Sequence, residues 1–145
     1  MKDIVLKIVG KQAFNGEGDD VEFVTVGRGC RKDNAIYLIY EESELSGMEG
    51  CTTSIKIMGD RAEMRRYGDA YASGTEVVFE PGKHFKGYYD TPYGPIEMEI
   101  LTDALKSDFS EQLDRGTLDI GYQISLHGLA EGHNQLKLEI LNAAE

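Results

Sequence analysis

From Ile4 to Ile140 apolar and polar residues alternate, and Gly, Pro, Asn or Asp interrupts the alternation roughly every ten to fourteen residues. The segments 95–102 (PIEMEILT), 116–128 (GTLDIGYQISLHG) and 134–141 (NQLKLEIL) are the cleanest. Successive side chains of a strand point to opposite faces, so alternation of this length specifies half-buried antiparallel strands. Strands are expected near 3–13, 20–32, 34–42, 49–58, 61–67, 74–80, 83–91, 95–106, 115–127 and 133–142. So many strands without a clear helix specify a barrel or a sandwich.

The connections carry turn chemistry. NGEGDD (15–20), KDN (32–34), GD (59–60), EPGK (80–83) and GLAEGH (128–133) supply Gly for positive φ and Asp or Asn for local backbone bonds. Gly59, first of the two central residues between Met58 and Arg61, suits a type II′ hairpin turn. The longest polar loop of the first half is 42–50. Leu105, Phe109 and Leu113 are spaced four apart and would share one face of a short helical turn within 102–114. Gly27 and Gly29 in GRGC read as a bend or bulge in a strand rather than a phosphate cradle. A sheet of this size must hide its edges, and closure into a barrel removes them. The loops are too short for Greek-key crossings. The expected fold is therefore all-β, a single antiparallel up-and-down barrel of eight to ten strands spanning 1–145 as one domain.

The 145 residues are 41% hydrophobic, enough for a real core, and carry a formal net charge of −11. With a mean hydropathy of −0.37 the chain reads as soluble. The acidic residues lie mainly on the polar phase of the strands, and no basic stripe opposes them. Such a surface repels nucleic acid and anionic lipid. The N-terminal MKDIVLKIVG is too short and interrupted for a signal peptide, and no stretch is suited to span a bilayer as a helix. A cytoplasmic protein with free thiols at Cys30 and Cys51 is expected, although the two fall in strands expected to be neighbours, which leaves a disulfide geometrically open.

Phase assigns the interior. Ile4, Leu6 and Ile8 share one face, as do Ile96, Met98, Ile100 and Thr102; Leu118, Ile120, Tyr122, Ile124 and Leu126; and Leu136, Leu138 and Ile140. Phe85, Gly87, Tyr89 and Thr91 share another. Arg66 is in phase with Ala62 and Met64 and would point inward. A buried guanidinium needs a partner. No acidic residue lies clearly on the inward phase of the last three strands, so a ligand carboxylate or phosphate would complete the pair, with Arg66 as anchor. The competing accounts are a loop carboxylate or strand carbonyls as partner, or a bulge that turns Arg66 outward. Inward Tyr40, Tyr89 and Tyr122 would add hydroxyls to such a lining, with Met64 and Met98 as its apolar part; Tyr is also simply a good strand former. The candidate ligand-binding set is Arg66, Tyr40, Met64, Tyr89, Met98 and Tyr122.

Catalytic signatures are missing: the chain has no G-x-G-x-x-G after a strand, no P-loop, no H-E-x-x-H, no C-x-x-C and no G-x-S-x-G. His127 and His133 flank one loop with Glu131, a set that could bind zinc, but loop histidines are common. The expectation is no enzyme, no metal and no cofactor.

GMEGCTTSIKI (47–57), MRRYG (64–68), FKGYYDTPYGPIEMEILTDAL (85–105) and GTLDIGYQISLHG (116–128) together resemble the YwiB-like family, small bacterial proteins built on a domain of unknown function. The resemblance runs from about Phe23 to Ile140. Its most specific parts are Arg66-x-Gly68 and Tyr89-x-Thr91-Pro92-x-Gly94 followed by Met98 and Thr102. It implies a calycin-like barrel, related in shape to lipocalins and fatty-acid-binding proteins, and it implies no activity. The Gly-x-Trp of true lipocalins is absent, the chain having no Trp.

Three function classes follow. The first is a protein that binds a small amphipathic or anionic ligand inside the barrel. The second is a structural or protein-interaction module with a side-chain-filled interior and no ligand. The third, an enzyme on a barrel scaffold, has no residues nominated for it. The partners expected are a small molecule, a protein partner or a second copy of the chain, and neither nucleic acid nor membrane.

Overall fold

The computed structural model describes residues 1–14, 17–42, 50–68, 71–91, 94–127 and 130–141; of these, the side chains of 12–14, 17–19, 71–75, 89–91 and 130 are not described. Ten strands follow one another: β1 (Lys2–Phe14), β2 (Glu17–Lys32), β3 (Ala35–Glu41), β4 (Cys51–Met58), β5 (Arg61–Gly68), β6 (Tyr71–Phe79), β7 (His84–Thr91), β8 (Gly94–Phe109), β9 (Gly116–Leu126) and β10 (Ala130–Leu141). They form one antiparallel sheet in the order β6-β5-β4-β3-β2-β1-β10-β9-β8-β7. The first and last strands are zipped together in its middle, from Val5 opposite Leu141 to Phe14 opposite Gly132.

The outermost strands, β6 and β7, are consecutive in sequence, so the sheet curls until the turn at 80–83 bridges its two edges. No ladder joins them among the described residues. The barrel is thus an up-and-down meander, nearly closed. A break in pairing between Thr102 and Ala104 bends β8 beside the seam. There the Gly82 N–H donates to the Thr102 carbonyl at 3.0 Å and ties the seam turn to β8.

Turn chemistry fixes the registers. Asp33 and Asn34 both have positive φ, 53° and 65°, as a type I′ turn between β2 and β3 requires. Between Met58 and Arg61, Gly59 alone has positive φ, 62°, in keeping with the type II′ turn expected there. The 43–49 portion of the polar loop after Glu42 lies outside the described residues.

Three local expectations are corrected. Leu105 and Phe109 are not on a helical turn: β8 continues to Phe109, because its pairing with β9 resumes after the bulge, and Leu113 sits in the following turn at φ 57°. Gly27 and Gly29 are neither bend nor bulge. Both stay in register with Tyr40 and Leu38, and a Cβ on Gly27 would stand 2.5 Å from the Ile39 carbonyl oxygen. These glycines let neighbouring chain and side chains close in. Cys30 and Cys51 lie on strands separated by β3, and both are free thiols.

The inward phases deduced from alternation form the core. Leu6, Ala62 and Ile120 are completely buried, with Leu38, Ile55, Leu118 and Leu138 nearly so. Each such leucine or isoleucine contributes roughly 1.5–3 kcal/mol by leaving water. One barrel end, where β1 begins, is stoppered. Leu113 turns in from the β8–β9 connection, buried, with its Cδ1 3.2 Å from where a Gly29 Cβ would be. Lys2 holds that connection through the Gln112 carbonyl (2.8 Å) and Asp114 (2.6 Å), and Arg31 donates to the carbonyls of Phe109 and Ser110.

Candidate functional site

Along β1 the inward phase runs Ile4, Leu6, Ile8 and then Gly10. A Cβ on Gly10 would meet nothing within 4 Å. Here the side chains stop filling the barrel, and a cavity of ≈ 310 Å³ opens between Ile8, Gly10 and Phe23 on one wall and Val77, Ile100 and Ile124 on the others.

Tyr40, Glu42 and Arg66 form one polar part of its lining, with Thr53 buried between them. Tyr40 on β3 is opposite Thr53 on β4, and Thr53 is opposite Arg66 on β5, so cross-strand register sets the three in one row. Glu42, just past β3, is held by its own N–H, which donates to the Cys51 carbonyl at 2.9 Å. Its side chain is 2% exposed, accepts a hydrogen bond from Thr53 Oγ1 at 2.7 Å and lies 3.5 Å from Arg66 Nε. That last distance is an ion pair rather than a tight hydrogen bond. The Arg66 side chain faces inward and is 27% exposed. The premise that Arg66 lacks an acidic partner is therefore overturned: the carboxylate comes from beyond the end of a strand, where alternation assigns no face.

Tyr40 is 2% exposed. Burial, and next the Glu42 carboxylate, push its phenol above the usual range, so it stays protonated. Its hydroxyl makes no hydrogen bond of ordinary geometry, although Thr53 and Glu42 stand beside it. Across the cavity on β10, Asn134 is 4% exposed. Its Nδ2 donates to Tyr122 Oη at 3.4 Å, a long bond, and its Oδ1 has no partner. Tyr122 packs at a tilt on Phe79, ring centroids 4.9 Å apart. A buried polar atom left without a partner costs about 1–3 kcal/mol.

Of the residues nominated from the sequence, Tyr40, Met64, Arg66, Met98 and Tyr122 line this one cavity. The Tyr89 side chain is not among those described; its backbone pairs with Ile96. Sequence reasoning missed Glu42, Thr53, Asn134 and Gly10. For three of these a signal existed. Gly10 continues the Ile4–Leu6–Ile8 phase, Thr53 shares the phase of buried Ile55 and Ile57, and Asn134 shares that of Leu136 and Leu138. Glu42 had none.

A hollow of ≈ 470 Å³ on the outer face is larger, but its Lys7, Lys106 and Lys137 are matched by Asp108, Asp119 and Glu139 in contact with water. It offers no buried polar group. The histidines disperse: His84 meets Glu99, His127 meets Glu97 and His133 meets Asp103, all at the surface. Among the described residues no group of three or more His, Cys, Asp or Glu is placed to hold a metal ion, and no helix is long and apolar enough to cross a membrane.

Comparison with known proteins adds the family and the fold. The family model described as "Domain of unknown function (DUF1934)" matches residues 6–138. Among solved structures, the ywiB protein from Bacillus subtilis is similar over 97% of this chain and 93% of its own, with a TM-score of 0.76 and 21% identity. No curated protein matches the chain.

Proposed function

On the premise that the chain belongs to the DUF1934 family, whose description names no activity, we propose that it is a binding protein which holds one small amphipathic ligand inside the barrel. The observation that carries this reading is the ≈ 310 Å³ cavity in which buried polar groups converge on an otherwise apolar wall. The size falls at the lower end of small-molecule sites, and the mixture of an apolar lining with a few placed polar groups is their usual construction. Tyr40, Arg66 and Tyr122 face the polar end of the ligand, with Glu42 and Asn134. Met64 and Met98 adapt to its apolar body, since an unbranched thioether fills irregular gaps. Free Cys30 and Cys51 fit a reducing, cytoplasmic setting.

The test is an amide NMR titration with octanoate, octylamine and 1-octanol against the wild type and Gly10→Phe. Binding in the barrel predicts saturable shifts at Gly10, Phe23 and Leu136 with at least one probe, lost when the phenyl ring fills the cavity. Absence of such shifts for every probe, or identical shifts in both proteins, supports the filled structural module instead.

A further inference from the structure

We infer that the ligand's polar end is uncharged and both donates and accepts hydrogen bonds, as a hydroxyl or a carboxamide does; this rests on the reading of the cavity as a binding site. The buried part of the polar lining already contains one full negative and one full positive charge, Glu42 and Arg66, paired at 3.5 Å, with the carboxylate also bonded to Thr53; the lining's other cation, Lys11, is exposed to water. A ligand carboxylate or phosphate would lose its hydration beside the buried Glu42 and add a second anion to a site whose cation is already engaged. An ammonium would meet the converse difficulty beside Arg66. Beside the Glu42–Arg66 pair both pay desolvation without an uncommitted buried counter-charge, and the exposed Lys11 is screened by water.

What the lining leaves unmet is the capacity of its neutral hydrogen-bonding groups. The Tyr40 hydroxyl, beside Thr53 and Glu42 but without a hydrogen bond of ordinary geometry, and one polar atom of the Asn134 amide, which has no partner, are buried on the cavity. Turning the amide end for end exchanges which of its two atoms is left over, and one remains unpaired either way. Tyr40, held protonated, offers a donor that an ammonium cannot use. Asn134 leaves over either Oδ1, which calls for a donor that a carboxylate lacks, or, with the amide turned, Nδ2, which calls for an acceptor that an ammonium lacks. A hydroxyl or carboxamide serves both kinds of group.

The experiment compares 1-octanol, octanamide, octanoate, octylamine and nonane at neutral pH by the same NMR titration, on the wild type and on Asn134→Leu. These probes share a chain and differ in the head. The expected result is that 1-octanol and octanamide bind the wild type roughly ten-fold more tightly than octanoate or octylamine, and that Asn134→Leu narrows their advantage over nonane several-fold. Octanoate or octylamine binding as tightly as 1-octanol would overturn the inference and leave the cavity reading standing. An unchanged advantage over nonane in folded Asn134→Leu would likewise overturn it. If no probe binds the wild type, the inference and the binding reading fall together.

Discussion

Gly27 and Gly10 face the same interior from paired strands and meet opposite surroundings. A Cβ on Gly27 would press on the Ile39 carbonyl at 2.5 Å and on the Leu6 and Tyr40 side chains, whereas one on Gly10 would touch nothing within 4 Å. Toward the start of β1 the barrel is filled by its own side chains and stoppered by Leu113. Toward the end of β1 it is left empty and lined by polar groups. One end of this molecule has the filled interior of a structural module, and the other has an open cavity. The open end holds a cavity, unpaired polar atoms and a partly buried ion pair.

Four changes probe that contrast. The largest effect is expected at the filled end. Gly27→Val forces a branched side chain against backbone, and unfolding in urea should show a loss of about 3 kcal/mol, the upper part of the range for overpacking. A loss under about 1 kcal/mol would mean that the filled end is not tightly packed.

Next is the ion pair at the open end. Glu42→Leu removes the carboxylate and leaves the guanidinium facing the cavity. Breaking a fully buried pair costs about 3–5 kcal/mol, and the 27% exposure of the Arg66 side chain reduces this to about 2. The double variant Glu42→Leu with Arg66→Met should regain about 1 kcal/mol of that loss, because the two opposite charges are then removed together. Strictly additive losses in the double-mutant cycle would show that the two groups do not act as a pair.

Gly10→Ile should do the reverse of Gly27→Val. It fills empty space, suits a strand and restricts the unfolded chain, and should raise stability by about 1 kcal/mol while blocking the probes. Destabilisation there would contradict the open end.

The smallest effect is electrostatic and lies at the seam. Glu80 accepts hydrogen bonds from Lys83 at 2.8 Å and Arg61 at 3.3 Å. The Lys83 bond foremost, with the nearby charges, holds its carboxyl below the ordinary value of 4.5. A depressed folded-state value favours the folded protein above pH 4.5 and loses that contribution as the pH falls through the depressed value. Water around these side chains keeps the contribution small. Glu80→Gln should therefore lower the melting temperature slightly at pH 7 and give a shallower decline below pH 4.5, the two curves converging in acid. Parallel declines in the two proteins would remove Glu80 from the acid response.

What alternation could reveal, it revealed well. All ten strands lie where the polarity pattern places them, and Ile4, Leu6, Met98, Ile100, Leu118, Ile120 and Leu138 are inside. The reason is local: a period of two binds each side chain to a face wherever the strand is regular. The pattern fails where that period is interrupted or has nothing to say. Leu105 to Leu113 mimic a helical spacing because a bulge and a turn shift the phase of β8. Glycines contribute no polarity, so Gly27 in a crowded wall and Gly10 in an empty one look alike in sequence.

The sequence by itself determined the strands, their faces, the acidic exterior and the meander, because each follows from neighbours along the chain. Only the tertiary structure decided which end is full. It also decided that Glu42, from beyond β3, meets Arg66 of β5, and that Tyr40 and Asn134 face one cavity with polar atoms unpaired. Those outcomes depend on how the sheet curls and on which side chains from distant strands reach a common point, and a one-dimensional pattern carries neither distance nor volume.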